Sequence, residues 1–173
     1  MAATVELKIY TGTNAANENP ETGDATNWNL MNTDSYDSTG TDYQLAANRI
    51  PVPSSGTNYS YERWMRLKFS GTFNEITNIK FYHSAGSLSD ANLDLLAGAT
   101  STAATPTNSA STVATTTLTS WDEESEAIDI TPSGGITTTG YSEYAVVQLK
   151  VPSTVTTPGD IGSQTITFKY DES

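Results

Sequence analysis

The chain has 173 residues, a formal net charge of −12 and no cysteine. Its length fits one domain with a substantial core, and its acidity argues against nucleic acid and anionic membranes as partners. The absence of cysteine excludes disulfides and cysteine-ligated metals, and no apolar run approaches the roughly 18 residues of a membrane span.

The first predicted element is a β-strand at 5–10, in which Val5, Leu7 and Ile9 share one face. Residues 1–20 lack the basic and apolar stretches of a secretory signal peptide. The rest of the chain is rich in Thr, Ser and Asn, as extracellular surfaces often are. We therefore expect a protein that is made in the cytoplasm, assembled there into a particle and released by lysis.

Residues 11–48 follow without clear periodicity and contain Trp28, Tyr36 and Tyr43. Stretches this long in a compact domain are usually functional or ordered by a partner. We interpret this one as an extended arm or long loop whose aromatic side chains pack on a neighbouring subunit. The alternative is a long surface loop that is held in place by its own aromatic residues.

Further strands are predicted where apolar and polar residues alternate, with one apolar face each. The strong candidates are 61–69, 76–82, 143–151 and 164–170, and the shorter ones are 50–52, 112–119 and 127–130. One-faced alternation is typical of antiparallel sheets. The sequence therefore predicts an all-β fold: a single antiparallel β-sandwich domain over 1–173, jelly-roll-like, with long polar loops.

One segment reads as helical. Ser89 would cap a turn that runs through Leu93 and Leu96 and ends near Gly98, with a loop as the alternative. A second long polar stretch follows at 98–125 and is rich in Ser, Thr and Ala.

Catalytic and metal-binding residues are not predicted. His83 is the sole histidine, and no G-x-S-x-G motif accompanies it, so we expect a structural or surface histidine. Two acidic clusters could in principle serve glycoside hydrolysis or bind Ca²⁺, but their polar surroundings favour solvated loop acids and no cofactor. The clusters are Asp34, Asp37 and Asp42, and Asp122, Glu123, Glu124, Glu126 and Asp129.

Basic residues concentrate in the predicted strands, where lysine often protects sheet edges and faces from aggregation. The alternative is a basic sheet face that docks on an acidic partner. The seven residues concerned are Lys8, Arg63, Arg66, Lys68, Lys80, Lys150 and Lys169.

The three tryptophans could stack on sugars or anchor a protein interface, where tryptophan and tyrosine are favoured. Trp64 shares a predicted strand face with Arg66 and Lys68, so we expect it to be partly exposed. The candidate partner-binding residues are Trp28, Tyr36, Tyr43, Trp64 and Trp121.

The segment 59–82, YSYERWMRLKFSGTFNEITNIKFY, and the ending TITFKYDES resemble small β-rich structural proteins of tailed bacteriophages. The whole chain more loosely resembles capsid decoration, or cement, proteins. This resemblance implies a virion protein present in many copies, which binds the major capsid protein or other virion subunits and stabilises the shell.

Two other functions remain open at this stage. One is a glycan-binding module of a tail fibre or cell-surface filament, and the other is a tail-tube or head–tail connector component. An enzymatic function is the least favoured of the candidates, because no arrangement of acid–base or nucleophilic residues is evident in the sequence.

Overall fold

The computed structural model describes residues 2–21, 23, 25, 28–118 and 126–173. Strands dominate this part of the chain, and its helical elements are single 3-10 turns. None of the described helices is long and apolar enough to span a membrane. The strands are β1 (Ala3–Thr11), β2 (Asn17–Asn19), β3 (Thr57–Tyr59), β4 (Arg63–Gly71), β5 (Ile76–Ala85), β6 (Asp94–Thr100), β7 (Thr116–Thr117), β8 (Ile128–Asp129), β9 (Gly140–Tyr141), β10 (Tyr144–Pro152) and β11 (Thr165–Glu172).

The described strands form two antiparallel sheets that pack against each other. The large sheet has the order β2-β1-β4-β10-β6-β7, with β3 also paired to β10 and β9 to β4. The small sheet has the order β11-β5-β8. The predicted all-β antiparallel sandwich is confirmed, although its division into eight and three strands is more uneven than the jelly roll expected from the sequence.

The core lies between the sheets and is built by the alternation that the sequence shows. Met65 and Phe69 of β4 are fully buried, and Ile79 and Phe81 of β5 face them from the small sheet. Because side chains alternate between the two faces of a strand, the polar neighbours point away from this layer. The predicted apolar faces of 61–69, 76–82 and 143–151 are thus confirmed.

The helix predicted at 89–98 is wrong, because this region contains β6. Leu95 and Ala97 are buried in the core, and Leu95 lies opposite Leu149 in the β6–β10 pairing. Gly98 does not end a helix. A Cβ atom at Gly98 would collide with the Val113 carbonyl, which crosses the outer side of the strand.

Of the three shorter strand predictions, one is wrong and two are confirmed only in part. Residues 50–52 are not a strand. Of the predicted strand 112–119, the described residues 112–118 contain only the two residues of β7, and 127–130 contains only the two residues of β8. Short apolar runs are ambiguous from the sequence alone, since a loop that packs on the core needs the same residues.

The outer face of the large sheet is covered by residues 101–118. Gln148 points outward from β10, and its side-chain amide holds this loop in place. Its Nε2 donates to the carbonyl oxygens of Thr107 and Ser109 in the loop, at 3.2 and 2.8 Å, and to that of Ser60 at 2.9 Å. The described part of the second long stretch therefore folds back on its own sheet. Its predicted acidic run at 122–124 lies outside the described residues.

Two of the strand cations are internal anchors, so the edge-protection interpretation is wrong for them. Lys8 is fully buried, and its Nζ donates to the carbonyl oxygens of Pro20 and Gly23 at 3.1 and 2.8 Å and lies 3.0 Å from Glu6 Oε2. Arg63 is also buried. Burial of a cation requires such partners, since an isolated buried charge is costly.

Candidate binding cleft

An open cleft of about 1120 Å³ lies where loops replace the small sheet. The inner face of β10 ends in Leu149 and Val151, which form a core cluster separate from the one between the sheets. This end of the large sheet is covered by residues 28–52 and 155–164, and the cleft opens between the two loops. Its volume slightly exceeds the range of ligand pockets, about 300–1,000 Å³, and suits an extended ligand.

The floor of the cleft is apolar and its walls are mixed. Leu93, Leu149 and Val151 are buried beneath it, and Ile50 and Val155 pack against them from the two loops. The polar residues of the walls are Asn29, Gln44, Asn48, Arg49, Ser89, Thr157, Asp160, Ser163 and Gln164. Apolar area with a few polar groups is the usual composition of a binding site.

Exposed apolar side chains also mark the first loop. Val52 lines the cleft and is 37% exposed, and Leu45, four residues before Arg49 in the same loop, is 57% exposed. Val52 therefore adds accessible apolar area to the cleft itself.

Arg63 fixes the first wall from inside the domain. Its Nε donates to the Asn29 carbonyl oxygen at 2.6 Å, and Nη2 donates to the Thr33 carbonyl oxygen at 3.0 Å. Nη1 lies 4.0 Å from Asp34 Oδ1. Burial lowers the pKa of Arg63 to about 10, against the opposing effect of Asp34 and Asp37, so the guanidinium stays charged at neutral pH.

Asp37 closes the same loop on itself. Its carboxylate accepts hydrogen bonds from the backbone N–H groups of Thr39, Gly40 and Asp42, at 3.0, 2.7 and 2.7 Å. The Thr39 hydroxyl and the Asn29 amide also donate to it. Burial raises the pKa of Asp37, but these hydrogen bonds outweigh it and hold the pKa below its ordinary value.

Asp90 fixes the second wall. Its Oδ2 accepts hydrogen bonds from the backbone N–H groups of Thr156 and Thr157 at 2.7 and 2.9 Å, and Oδ1 accepts one from the Asn92 N–H at 2.8 Å. These bonds hold the pKa of Asp90 well below its usual range, with the Asn92 N–H making the largest contribution. Gln164 closes the far end of the loop by donating to the Ser87 and Ile161 carbonyl oxygens.

The predicted partner-binding residues are not gathered in one place. Trp28 is half-buried, lines the cleft and packs on the main core, and Tyr36 is half-buried against the same core. Tyr43 belongs to a 3-10 turn, Asp42–Gln44, of the first wall, but its side chain lies outside the described part of the structure. Trp121 lies outside the described residues altogether.

The expectation that Trp64 is partly exposed is wrong. Trp64 is 1% exposed on the outer side of β4, where it contacts Tyr144 edge to face and its Nε1 donates to Glu62 Oε2 at 2.9 Å. The residues of 101–118 cover this face, and the sequence of β4 alone does not show that cover. Trp64 therefore cannot stack on a ligand.

Asp34, Asp37 and His83 make contacts within the fold. Asp34 Oδ2 accepts from the Gly12 N–H at 2.7 Å, and buried His83 has Nε2 at 3.1 Å from Gln164 Oε1. Asp37, expected to be a solvated loop acid, is instead 1% exposed. Within the described ranges, no group of three or more His, Asp or Glu side chains is placed to share a metal ion.

Sequence reasoning missed the cleft and its anchors. Leu149 and Val151 belong to a predicted apolar face, but the residues that cover them come from loops without periodicity. Arg63 and Asp90 have no motif around them. A buried arginine directly before the apolar alternation of β4 is visible only once the chain is folded.

Comparison of the chain with models of protein families, with curated proteins and with solved structures gave no match.

Proposed function

We propose that this protein is a structural component of a virion, namely a decoration protein that binds the outer surface of the head and stabilises the shell. The observation that carries the proposal is the cleft with an apolar floor, whose two walls are fixed by Arg63, Asp37 and Asp90. The resemblance of 59–82 and of the C-terminal strand to small phage structural proteins supplies the biological setting.

The cleft suits an extended segment of a neighbouring capsid subunit. A groove of about 1120 Å³ offers room for a chain segment, and Val52 and the floor residues offer apolar contact. Because the walls are already held by internal hydrogen bonds, binding costs little ordering of this protein. Rigidity of this kind favours a permanent contact in an assembled particle.

The surface charge fits repeated use on a shell. The net charge of −12 keeps free copies dispersed by mutual repulsion. On a particle, many contacts of modest affinity between neighbours together give tight overall binding. Stabilisation of the shell then requires only that each copy bridge adjacent subunits.

The first test is mass spectrometry of density-gradient-purified particles, with copies counted against the major capsid protein. We expect hundreds of copies per particle on the head surface. A handful of copies, or a ring of fixed number seen by microscopy, would instead indicate a fibre, tube or connector component. Absence of the protein from purified particles would contradict the proposal that it is a virion component.

The second test places the contact at the cleft. Stripped particles are incubated with purified protein, and bound copies are counted for the wild type, Val52→Asp and Ala104→Asp. Val52 lines the cleft, whereas Ala104 is exposed in the loop on the opposite face. We expect Val52→Asp to weaken binding at least tenfold and Ala104→Asp to leave it unchanged, with both proteins equally stable. Equal binding by both variants would remove the cleft from the proposal.

A glycan-binding role is the second candidate, because Trp28 shares the cleft with the amide side chains of Asn29, Gln44 and Asn48. Flat aromatic and amide groups together suit sugar faces and hydroxyls. A glycan array with a reproducible hit that is lost in Trp28→Phe would favour it. An array without hits for a protein that binds particles would dismiss it.

A further inference from the structure

An arginine without a carboxylate partner lies on the outer face of the large sheet. Within the described residues, four basic side chains lie within 4.0 Å of a carboxylate oxygen, namely Lys8, Arg63, Lys68 and Lys150. Arg66 has no such contact in this part of the chain, although the protein has 20 acidic residues and only 8 lysines and arginines. Arg66 is therefore available to an acid of another molecule.

The guanidinium of Arg66 is held in a fixed orientation by its own sheet. Its Nε donates to the Ser142 carbonyl oxygen, and its Cζ lies 4.5 and 5.0 Å from the ring centroids of Tyr144 and Tyr141. Ser142 is fully buried, and its hydroxyl oxygen accepts from the Leu67 N–H at 3.0 Å. Because the hydrogen bond and the cation–π contacts already fix the guanidinium, a ligand loses little binding energy to its ordering.

The Arg66 side chain lies where the cover of the outer face ends. Trp64, two residues earlier on the same face of β4, is buried beneath residues 101–118, whereas Arg66 is half-buried and the Lys68 side chain is 28% exposed. Tyr141 is also half-buried. In the described part of the chain, Nη1 and Nη2 of Arg66 have no acceptor and are not enclosed. This forked pair of donors therefore faces solvent.

The charges around Arg66 leave one positive charge unbalanced. Lys8 lies directly opposite Arg66 in the β1–β4 pairing, so two cations face each other there. Lys8 has a counter-ion in Glu6 at 3.0 Å, and Lys68 has one in Glu18 at 3.7 Å. Like charges on facing strands destabilise their pairing, and an anion beside Arg66 would relieve this effect. Three cations and two carboxylates thus leave a net charge of one for a ligand to neutralise.

A carboxylate is the anion that fits these features. The N–H groups of a guanidinium bind both oxygens of a carboxylate in a bidentate arrangement. We propose that Arg66, with Tyr141 and Lys68 beside it, binds a single aspartate or glutamate side chain of a partner protein. A phosphate group is disfavoured, because it brings about two negative charges to one unbalanced cation close to Glu6 and Glu18.

The partner segment should carry this acid between apolar residues. The accessible part of the Tyr141 ring is a flat apolar surface beside the guanidinium, which suits an aromatic or aliphatic side chain of the partner. The net charge of −12 repels a densely acidic segment. An isolated acid with apolar neighbours is therefore the preferred ligand.

The Arg66 site and the cleft lie on opposite faces of the large sheet. Leu149 and Val151 of the cleft floor lie on the inner face of β10, whereas Arg66 alternates with the inward-facing Met65 and Leu67 and points outward from β4. One molecule can thus contact two partner segments at once, and two linked contacts bind more tightly than either alone. Binding at Arg66 does not depend on the proposed function, since it is measured with free protein and a synthetic peptide.

The first experiment is an NMR titration of the isotope-labelled protein with two capped pentapeptides, Gly-Phe-Glu-Phe-Gly and Gly-Phe-Gln-Phe-Gly. We expect the Glu peptide to shift the Nε–Hε resonance of Arg66 and to bind at least tenfold more tightly than the Gln peptide. A peptide with phosphoserine in place of Glu should bind no more tightly than the Glu peptide. Equal binding of the Glu and Gln peptides, tighter binding of the phosphoserine peptide, or no shift at millimolar Glu peptide would overturn the proposal.

The second experiment repeats the titration with variants. Arg66→Gln removes the cation and should weaken binding of the Glu peptide at least tenfold. Arg66→Lys keeps the charge but loses the forked donors, so its affinity should lie between those of the wild type and Arg66→Gln. Arg49→Gln makes the same charge change at an exposed arginine of the cleft wall and should bind as the wild type does.

Equal losses in Arg66→Gln and Arg49→Gln would indicate a general effect of charge and would also overturn the proposal. If Arg66→Gln does not fold, the comparison of Arg66→Lys with Arg49→Lys takes its place, and equal binding by these two variants would count against the site in the same way. Each of these results leaves docking on particles untouched, since that contact lies at the cleft on the other face of the sheet.

Discussion

The guanidinium of Arg63 and the carbonyl oxygen of Asn29 lie 2.6 Å apart, in a hydrogen bond that joins the buried start of β4 to the wall of the cleft. The contact spans 34 residues of sequence. Through it the core of the sandwich, rather than the loop's own sequence, sets the position of Asn29, Thr33 and the residues around them.

Replacement of Arg63 should loosen this wall and destabilise the domain. We expect Arg63→Leu to lower the free energy of unfolding by about 3 kcal/mol, because the partly buried Asn29 and Thr33 carbonyl oxygens lose their donor. Urea denaturation measures this loss. Arg49→Leu, an exposed arginine in the same loop, is the matched control and should change stability by no more than about 0.5 kcal/mol. Equal effects of the two substitutions would contradict the role assigned to Arg63.

Acid should unfold the protein partly through Asp37 and Asp90. Both carboxyl groups have a pKa below the ordinary 3.8 in the folded protein. The unfolded chain therefore binds protons first as the pH falls, and the stability that these groups contribute is complete above about pH 4 to 5 and lost as the pH falls through their folded pKa values.

Substitution of Asp90 should remove part of this pH dependence. We expect Asp90→Asn to be less stable than the wild type at pH 7 and to lose less further stability between about pH 4 and pH 2. Thermal unfolding across this range measures both effects. Glu21→Gln, an exposed acid, is the control and should follow the wild-type curve. A slope in Asp90→Asn as steep as that of the wild type would show that other carboxyl groups dominate.

Gly98 should not tolerate a side chain. A methyl group there would meet the Val113 carbonyl, which lies against β6. We expect Gly98→Ala to cost about 2 kcal/mol or more, since overpacking typically costs 1–3 kcal/mol. Gly159→Ala, where nothing lies within 4 Å of the added carbon, is the control and should be close to neutral. Chemical denaturation of both variants checks the difference, and a neutral Gly98→Ala would mean that the 101–118 loop is free to move away.

Trp64 should matter for stability and not for binding. Trp64→Phe removes the donor to Glu62 Oε2, and Glu62 is itself buried. We expect a loss of about 2 kcal/mol in the free energy of unfolding, as for a broken bond to a charged group. Binding of the folded variant to particles or glycans should equal that of the wild type. Loss of binding at full stability would contradict the burial of this side chain.

The strands could be predicted because their cause is local. Val5, Leu7 and Ile9, or Met65, Leu67 and Phe69, alternate in the sequence itself, and alternation is sufficient for one-faced strands. β6 was mistaken for a helix since Leu93 and Leu96 also fit a helical spacing. The segment forms a strand rather than a helix because it pairs with β10, which lies far away in the sequence.

The candidate site could not be predicted, because its causes are not local. The cleft exists because, among the described strands, three belong to the small sheet and eight to the large sheet, so that loops cover Leu149 and Val151. The anchors of those loops, Arg63 and Asp90, act on partners distant in the sequence. Among the predicted residues whose side chains the structure describes, only Trp28 lines the cleft, and the sequence indicated it as an aromatic residue in a long loop.

The place of β10 in the large sheet has a consequence for the order in which the protein can fold during synthesis. β10 lies between β4 and β6 and also pairs with β3, yet all three precede it in the chain. Until residue 152 has left the ribosome, β4 and β6 face a gap that no earlier strand fills. One edge of β4 and one edge of β6 must therefore stay unpaired for most of the synthesis, and pairing of such distant segments is slow. Truncation within β10 should yield an insoluble product even though most of the chain is present.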